Sequence, residues 1–330
     1  MSNFAGKPTD FNELLLRLYR LSQELPIHYF QDVALSLVKQ VLPFDSSMWG
    51  TVTYGPNVFD IHTIHLHEES PEVLVAYEQV KHQDSAVGSF VGVSHGVRSF
   101  HYESFSASPD KKDFQNYLHC FDHHNYFIAA DSLLSKNFAH WISLNRADKN
   151  AHCTNDECLL LGQLAPHMMQ ALAMNRVMHL DRLEVVDKSL SRHGRAIADI
   201  RGMLHHVTPL FRGLAQTEWN DWNEFKLPSG LMSVLSMGHA CYMGKTVVIR
   251  LFVEHGLLFL KARPRCRADS LSAREWTIAG LISNGQSHKE IAKALNRSPS
   301  TVRNQIQGIY EKLQVSSIAL LIEAMRQAEG

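Results

Sequence analysis

LSAREWTIAGLISNGQSHKEIAKALNRSPSTVRNQIQGIYEKLQV, residues 271–315, holds two short helices joined by a tight turn. Ser287 opens the first helix, and Glu290 stands three residues later. At that spacing a hydroxyl and a carboxylate satisfy each other's orphan amides. Ile291, Ala292 and Leu295 recur at helical spacing and form one apolar face. Asn296-Arg297-Ser298 is the turn. Ser298 caps the second helix, and Pro299 takes its first position, where a missing N–H costs nothing. Val302, Ile306, Ile309 and Leu313 form the inner face of that helix.

A short helix, a turn of three to four residues and a second amphipathic helix make a helix-turn-helix, whose second helix suits the major groove. Its outward positions are Ser300, Arg303, Asn304 and Gln307, with Thr301 at the exposed start. Arg reaches guanine O6 and N7, Asn or Gln reaches adenine, and a helix N-terminus favours a phosphate. The plainer reading of this pattern is a small helical bundle with a solvated polar face. Two caps, the proline, the turn length and the polar composition coincide here, and together they favour DNA.

With those residues in view, the segment resembles the C-terminal DNA-binding domain of LuxR-type bacterial transcription regulators. The matching residues are Leu271, Arg274, Glu275, Gly285, Lys289-Glu290-Ile291-Ala292, Leu295, Thr301-Val302-Arg303, Ile309, Lys312-Leu313 and Val315, within 269–327. Gln305 and Ile318 depart from the family pattern, which often has histidine and arginine there. The resemblance implies an all-α domain of four helices and a double-stranded DNA operator as partner. By family position and local physics together, Arg303, Asn304 and Gln307 are expected to read base edges. Lys289, Thr301 and the Ser298-capped start are expected to hold phosphates. A last helix from about Ser316 carries Ile318, Leu321, Ile322 and Met325 on one face. Either that stripe packs on its own bundle or, as the resemblance implies, it pairs two copies. A homodimer would favour half-sites roughly one helical turn apart.

The rest of the chain is read outward from this segment. At 330 residues, two or three domains are expected, and 45% hydrophobic residues supply ample cores. Residues 265–330 hold nine Lys/Arg against six Asp/Glu, whereas the remainder holds 23 against 27. That asymmetry fits a mildly basic reader on an acidic body. No apolar run suits a signal peptide or a membrane span, so a soluble, cytoplasmic protein is expected. Five cysteines at irregular spacing argue against a disulfide framework and fit a reducing compartment.

Two amphipathic helices fill the first forty residues, the first capped by Thr9 or Asp10. A hairpin follows, Ser47–Tyr54 and Val58–Leu66 about Gly55-Pro56-Asn57. Residues 71–82 read as helix, 86–109 as strand and loop, 111–119 as helix, and 126–133 and 138–145 as strands. A long helix starts after Thr154 or Asn155. This order predicts an α+β sensor resembling GAF or PAS domains over residues 1–180. Residues 181–266 read as a smaller PAS-like unit and linker. It has a hairpin at Arg201-Gly202, helical stretches at 211–225 and 227–237, and strands 247–254 and 257–262. The helix-turn-helix domain spans 267–330.

Chemistry in the sensor is less legible. Twenty histidines invite a metal or haem reading; His119, Cys120, His123 and His124 cluster near a loop, while Cys153 and Cys158 stand five apart with no CxxC partner. Strand parity places His65 and His67 on one side and His62 on the other. Core or solvated histidines are the plainer reading, so no metal site and no cofactor is assigned. Parity also puts Met48, Gly50, Val52 and Tyr54 on one face and Trp49, Thr51 and Thr53 on the other. Ala139, Trp141 and Ser143 alternate with Phe138, His140, Ile142 and Leu144. A face mixing tryptophan with hydroxyls has the composition of a pocket, so Trp49 and Trp141 are the candidates for lining a ligand cavity. No phosphate-cradling glycine loop, GxSxG or HExxH occurs, so no catalytic residue is assigned and the chain is not read as an enzyme. The composite expectation is a transcription regulator sensing a small-molecule effector. One alternative is the same DNA reader under a haem, metal or redox sensor. A second is a ligand-handling enzyme whose C-terminal bundle docks a protein.

Overall fold

Asp10 accepts the Glu13 amide at 2.8 Å and opens α1 (Phe11–Glu24), which buries Leu14, Leu18 and Leu21. After Pro26, α2 (Ile27–Lys39) buries Phe30, Ala34, Leu35 and Val38. The computed structural model describes residues 10–55, 58–90, 92–105, 111–133, 137–182 and 193–329. Thr9 and the Pro56-Asn57 tip therefore lie outside the described residues. The chain divides into two units: Met1–Arg182 with Asp199–Arg201, and Leu183–Ala198 with Gly202–Gly330.

In the first unit, β1 (Ser46–Gly55) and β2 (Val58–His67) form the expected hairpin. α3 (Glu72–Val80), β3 (His95–His101), α4 (Lys112–Cys120), β4 (Asn125–Leu133) and β5 (Phe138–Arg146) follow. Then comes α5 (Asn155–Arg182), opened by a reciprocal pair: Thr154 Oγ1 accepts the Glu157 amide, and Glu157 accepts the Thr154 amide. The five strands run β2-β1-β5-β4-β3, antiparallel throughout. On one side Trp49, Phe127, Ile142 and Leu144 share a core with α1, α2 and α5. On the other, Met48, Leu66, Tyr126 and Ile128 meet Val73 of α3 and Phe114, Tyr117 and Leu118 of α4.

One irregularity redirects the hairpin's side chains. Thr51 pairs with Thr63, but Val52 pairs with Ile61, so His62 is an extra residue in β2. Phe59 and Ile61 thereby reach the same side as Ile64, which strict alternation denies them. The expected opposition of His62 to His65 and His67 does not survive the bulge. His62 Nε2 meets Thr53 Oγ1 at 2.6 Å, on the Trp49 side of β1. Close approach accompanies the slip: a Cβ on Gly50 would lie 2.2 Å from the Thr63 carbonyl oxygen, so that position requires glycine.

The second unit opens with β6 (Gly194–Asp199) and β7 (Leu204–Val207), then α6 (Pro209–Glu218) and α7 (Ser229–Ser236). β8 (Cys241–Met243), β9 (Val247–Glu254) and β10 (Leu257–Pro264) complete a five-stranded sheet ordered β7-β6-β10-β9-β8. Counted in chain order, each sheet runs 2-1-5-4-3, a repetition invisible in the residues themselves. Ala196, Ile249, Leu251, Leu258 and Leu260 pack with Phe211 and Ala215 of α6 and Leu231 of α7. Two expectations change here. The helix expected over 211–225 ends at Glu218, and β8 was not anticipated.

Four helices close the chain: α8 (Ala273–Ser283), α9 (His288–Ala294), α10 (Pro299–Leu313) and α11 (Ile318–Glu329). Their core joins Ile278, Ile282, Ile291, Val302, Ile309, Leu313, Leu321 and Met325. The fold is thus α+β in its first two parts and all-α at its end.

Candidate nucleic-acid interface and ligand cavity

The geometry of the last domain is set at its helix ends. Ser272, Ser287 and Ser298 each accept the amide three residues on, capping α8, α9 and α10, and Glu275 and Glu290 complete capping boxes. The same helices end on residues with positive φ: Gly285 (81°), Asn296 (51°) and Gln314 (54°). After each, an amide reaches back to an orphan carbonyl: Gln286 to Leu281 at 3.1 Å, Arg297 to Ala292 at 2.9 Å, and Val315 to Tyr310 at 3.1 Å. This is the Schellman ending, in which one left-handed residue turns the chain. At Asn296 it makes the turn between α9 and α10.

With Val302, Ile309 and Leu313 buried, α10 presents its other side outward. Lys289, Thr301, Arg303, Asn304 and Gln307 are all exposed. Thr301 Oγ1 lies 2.7 Å from Ser298 Oγ at the helix start, and Gln307 donates to Glu311 at 3.1 Å. Lys312 meets Glu275 at 2.7 Å, tying α10 to α8. One strip of a rigidly capped helix therefore carries a guanidinium and two carboxamides, above a helix N-terminus and a lysine. The apolar stripe expected on the last helix divides. Leu321 and Met325 enter the domain's own core, Ile322 is half-buried, and Ile318 remains 52% exposed, as does Leu320 outside the stripe at 50%.

Between the first sheet and α3 and α4 lies a cavity with about 920 Å³ of space between atoms, part of it open to solvent. Met48, Val52 and Tyr54 of β1, Phe59, Ile61 and Ile64 of β2, and Tyr126, Ile128, Ala139, Trp141 and Ser143 of β4 and β5 line the sheet side. Leu74, Tyr77, Asp84, Phe114, Tyr117 and Leu118 line the other. The walls are mostly apolar, yet Tyr54 OH, Tyr126 OH and Trp141 Nε1 are buried with no hydrogen-bond partner among the described residues. Asp84 accepts from Tyr77 OH at 2.9 Å and from the Ala86 amide at 2.8 Å. Burial pushes its carboxyl above the usual aspartate range, and burial likewise raises the Tyr77 and Tyr126 hydroxyls. His123, also on the wall, holds the buried Glu69 at 2.6 Å. Burial works against that carboxylate, but the bond from His123 lowers its pKa on balance.

Trp49 and Trp141 were paired as cavity candidates, and the structure separates them. Trp141 stands in the wall. Trp49 is 1% exposed on the opposite side of the sheet, packed near Phe30 in the helical core. The reason is register: Trp49 pairs with Ile142, whereas Trp141 pairs with Gly50. Tyr54, Tyr77, Asp84 and Tyr126 were not singled out from the sequence. Tyr54 had been placed with Met48 and Val52, so its face was legible even though its role was not.

Residues 269–325 match the family described as "Bacterial regulatory proteins, luxR family". The chain is 41% identical over 88 residues to the probable transcriptional regulatory protein NarL of Mycobacterium tuberculosis, covering 26% of this chain and 41% of that protein. It is 33% identical over 79 residues to the HTH-type transcriptional regulator MalT of Yersinia pestis, covering 24% of this chain and 8% of MalT. Among solved structures, Escherichia coli SdiA is similar at 14% identity and a TM-score of 0.36, over 97% of each chain. CepR2 of Burkholderia cenocepacia, described as an N-acylhomoserine lactone dependent LuxR family transcription factor, is 14% identical, covering 52% of this chain and 96% of that one, with a TM-score of 0.37. At those scores neither likeness bears on function.

Proposed function

We propose, from the premise that residues 269–325 are a LuxR-family helix-turn-helix domain, that the protein is a transcription regulator acting on a double-stranded operator under control of a small-molecule effector. The observation that carries the DNA half is the exposed strip of α10. Arg303, Asn304 and Gln307 share it, and the Ser298 cap and the Asn296 turn hold the helix that presents it. In this reading those three side chains enter the major groove, where Gln307 exchanges Glu311 for a base edge. Lys289, Thr301 and the first turn of α10 hold phosphates. Ile318 and Leu320 supply an apolar contact for a second copy, giving a homodimer. Among the described residues no helix is long and apolar enough to cross a membrane, and the proposed site of action is the cytoplasm.

The effector half rests on the cavity. Three buried donors without partners ask for acceptor oxygens, and the half-buried Asp84 offers an acceptor in return. The fitting ligand is a small, largely apolar molecule carrying a carbonyl-type acceptor beside a donor. Trp141, Tyr54 and Tyr126 would orient it, with Trp141 retained as the ligand-binding candidate and Trp49 withdrawn.

The test uses the full chain and a random-sequence duplex pool. Repeated selection by mobility shift is expected to enrich an inverted repeat, with affinity falling steeply as salt rises. Arg303→Ala should cost about 1–3 kcal/mol on the selected site and relax preference at one base position. A wild-type chain that retains no duplex in a salt-dependent manner refutes the DNA reading.

A further inference from the structure

We infer that Asp32, His65 and His67 form a binding site for one divalent transition-metal cation, joining α2 to the edge strand β2. The site is separate from the cavity and stands on its own geometry. His65 and His67 are two apart on β2, so both imidazoles leave the same side of the sheet. Their ladder partners are Trp49 and Ser47, which places them on the helical side, beneath α2. Asp32 reaches them from α2: its Oδ1 lies 3.0 Å from His65 Nε2 and 2.9 Å from His67 Nδ1.

These three donor atoms all lie within 4.8 Å of one another. A tetrahedral cation with bonds near 2.0–2.1 Å holds its donors roughly 3.3 Å apart, so only small side-chain adjustments are needed. Two imidazole nitrogens with one carboxylate oxygen suit Zn²⁺ and its first-row neighbours and suit Mg²⁺ or Ca²⁺ poorly. His67 is 6% exposed and Asp32 48% exposed, so the site is walled on the sheet side and open toward solvent at the carboxylate. Water would complete the coordination there.

A second pair of atoms supports the assignment. Ligation through Nδ1 leaves the proton of neutral His67 on Nε2. That nitrogen is buried and without a hydrogen-bond partner among the described residues. So is Ser47 Oγ, on the residue directly paired with His67 across the β1–β2 ladder. With the cation bound, the His67 Nε2–H would donate to Ser47 Oγ. That is the outer hydrogen bond metal-bound histidines ordinarily make. Ile64, one residue before His65, lines the cavity on the other side of the same strand. An ion held here would therefore also fix one wall of the cavity.

The experiment titrates chelator-stripped full-length protein with Co²⁺, followed by its visible absorption, and then with Zn²⁺ against a chromophoric chelator. One equivalent of Co²⁺ is expected to give a band that Zn²⁺ abolishes. Asp32→Asn and His65→Gln should remove the band, and Ser47→Ala should keep it while weakening Zn²⁺ about 10–100-fold. Far-UV circular dichroism checks that the variants are folded. A readout free of variants accompanies it: Zn²⁺ should protect His65 of the wild type from acylation by diethyl pyrocarbonate, measured peptide by peptide. No band in the wild type, an undiminished band in Asp32→Asn, or His65 acylation indifferent to Zn²⁺ would each overturn the proposal.

Discussion

Asp269→Ala tests how the DNA-binding domain is fastened to the strand before it. Arg263, on β10, is 8% exposed at its side chain, and Asp269 is 5% exposed. The pair is bidentate, Nη1 to Oδ2 at 2.7 Å and Nη2 to Oδ1 at 2.6 Å. Arg263 Nη2 also donates to the Ala328 carbonyl at the end of α11, at 2.7 Å. Asp269 Oδ2 in turn accepts the Cys266 amide at 2.8 Å. Removing the carboxylate leaves a charged guanidinium buried against two carbonyls and the Cys266 sulfur, and breaking a buried pair this way costs about 3–5 kcal/mol. The Ala328 and Pro264 carbonyls keep part of its hydrogen bonding, so the lower end, about 3 kcal/mol, is expected. At 1.4 kcal/mol per tenfold, protection from hydrogen exchange should fall roughly 100-fold in peptides spanning 263–272 and 318–329. Peptides from β1 and β5 serve as controls. Burial acts to raise the Asp269 pKa, but the bonds from Arg263 and the Cys266 amide lower it below the usual 3.8. A lowered folded value stabilises above the unfolded pKa and is lost as pH falls through it. The gap between wild type and variant should therefore close on acidification below that range. Exchange in both peptides changing less than about threefold at neutral pH, under 1 kcal/mol, would show that this ion pair fastens nothing.

Ser298→Ala removes the cap of α10 and should lower stability of the DNA-binding domain by about 0.5–2 kcal/mol, read as faster exchange at the helix start. Gln314→Gly relieves a side chain at φ 54° and should stabilise the same domain by up to about 1 kcal/mol in thermal unfolding. A loss of stability would mean that Gln314 makes contacts outweighing that strain. Gly50→Ala drives a methyl into the Thr63 carbonyl and should cost about 3 kcal/mol or more, seen as lost protection in β1 and β2. An unchanged exchange pattern there would refute the tight β1–β2 approach.

The DNA-binding domain was legible almost residue by residue because its determinants are local. A serine cap is recognised within four residues, and an amphipathic face within two turns. Even here Asn296 and Gln314 hid their function. Neither residue type demands positive φ, and only the returning amides of Arg297 and Val315 reveal the helix endings. The division of the last helix was likewise unreadable. Ile318 and Leu321 share a periodicity, and which one meets the core depends on where α8 lies.

The cavity of the first unit shows where local reading stops. Alternation correctly separated Tyr54 from Trp49, but alternation cannot say which side of a sheet carries the cavity when both sides are covered by helices. Here α1, α2 and α5 fill one side with leucine and phenylalanine, while α3 and α4 stand off the other and leave space. The slip at His62 adds a second non-local decision. It brings Ile61 and Ile64, of opposite parity, to one wall, and leaves His65 and His67 on the far side under α2. A single extra residue in β2 thus sorts the strand's histidines away from its apolar residues. The cavity lies on one side of this edge strand and the Asp32–His65–His67 cluster on the other, so one short stretch of β2 backbone, Ile64 to His67, serves both.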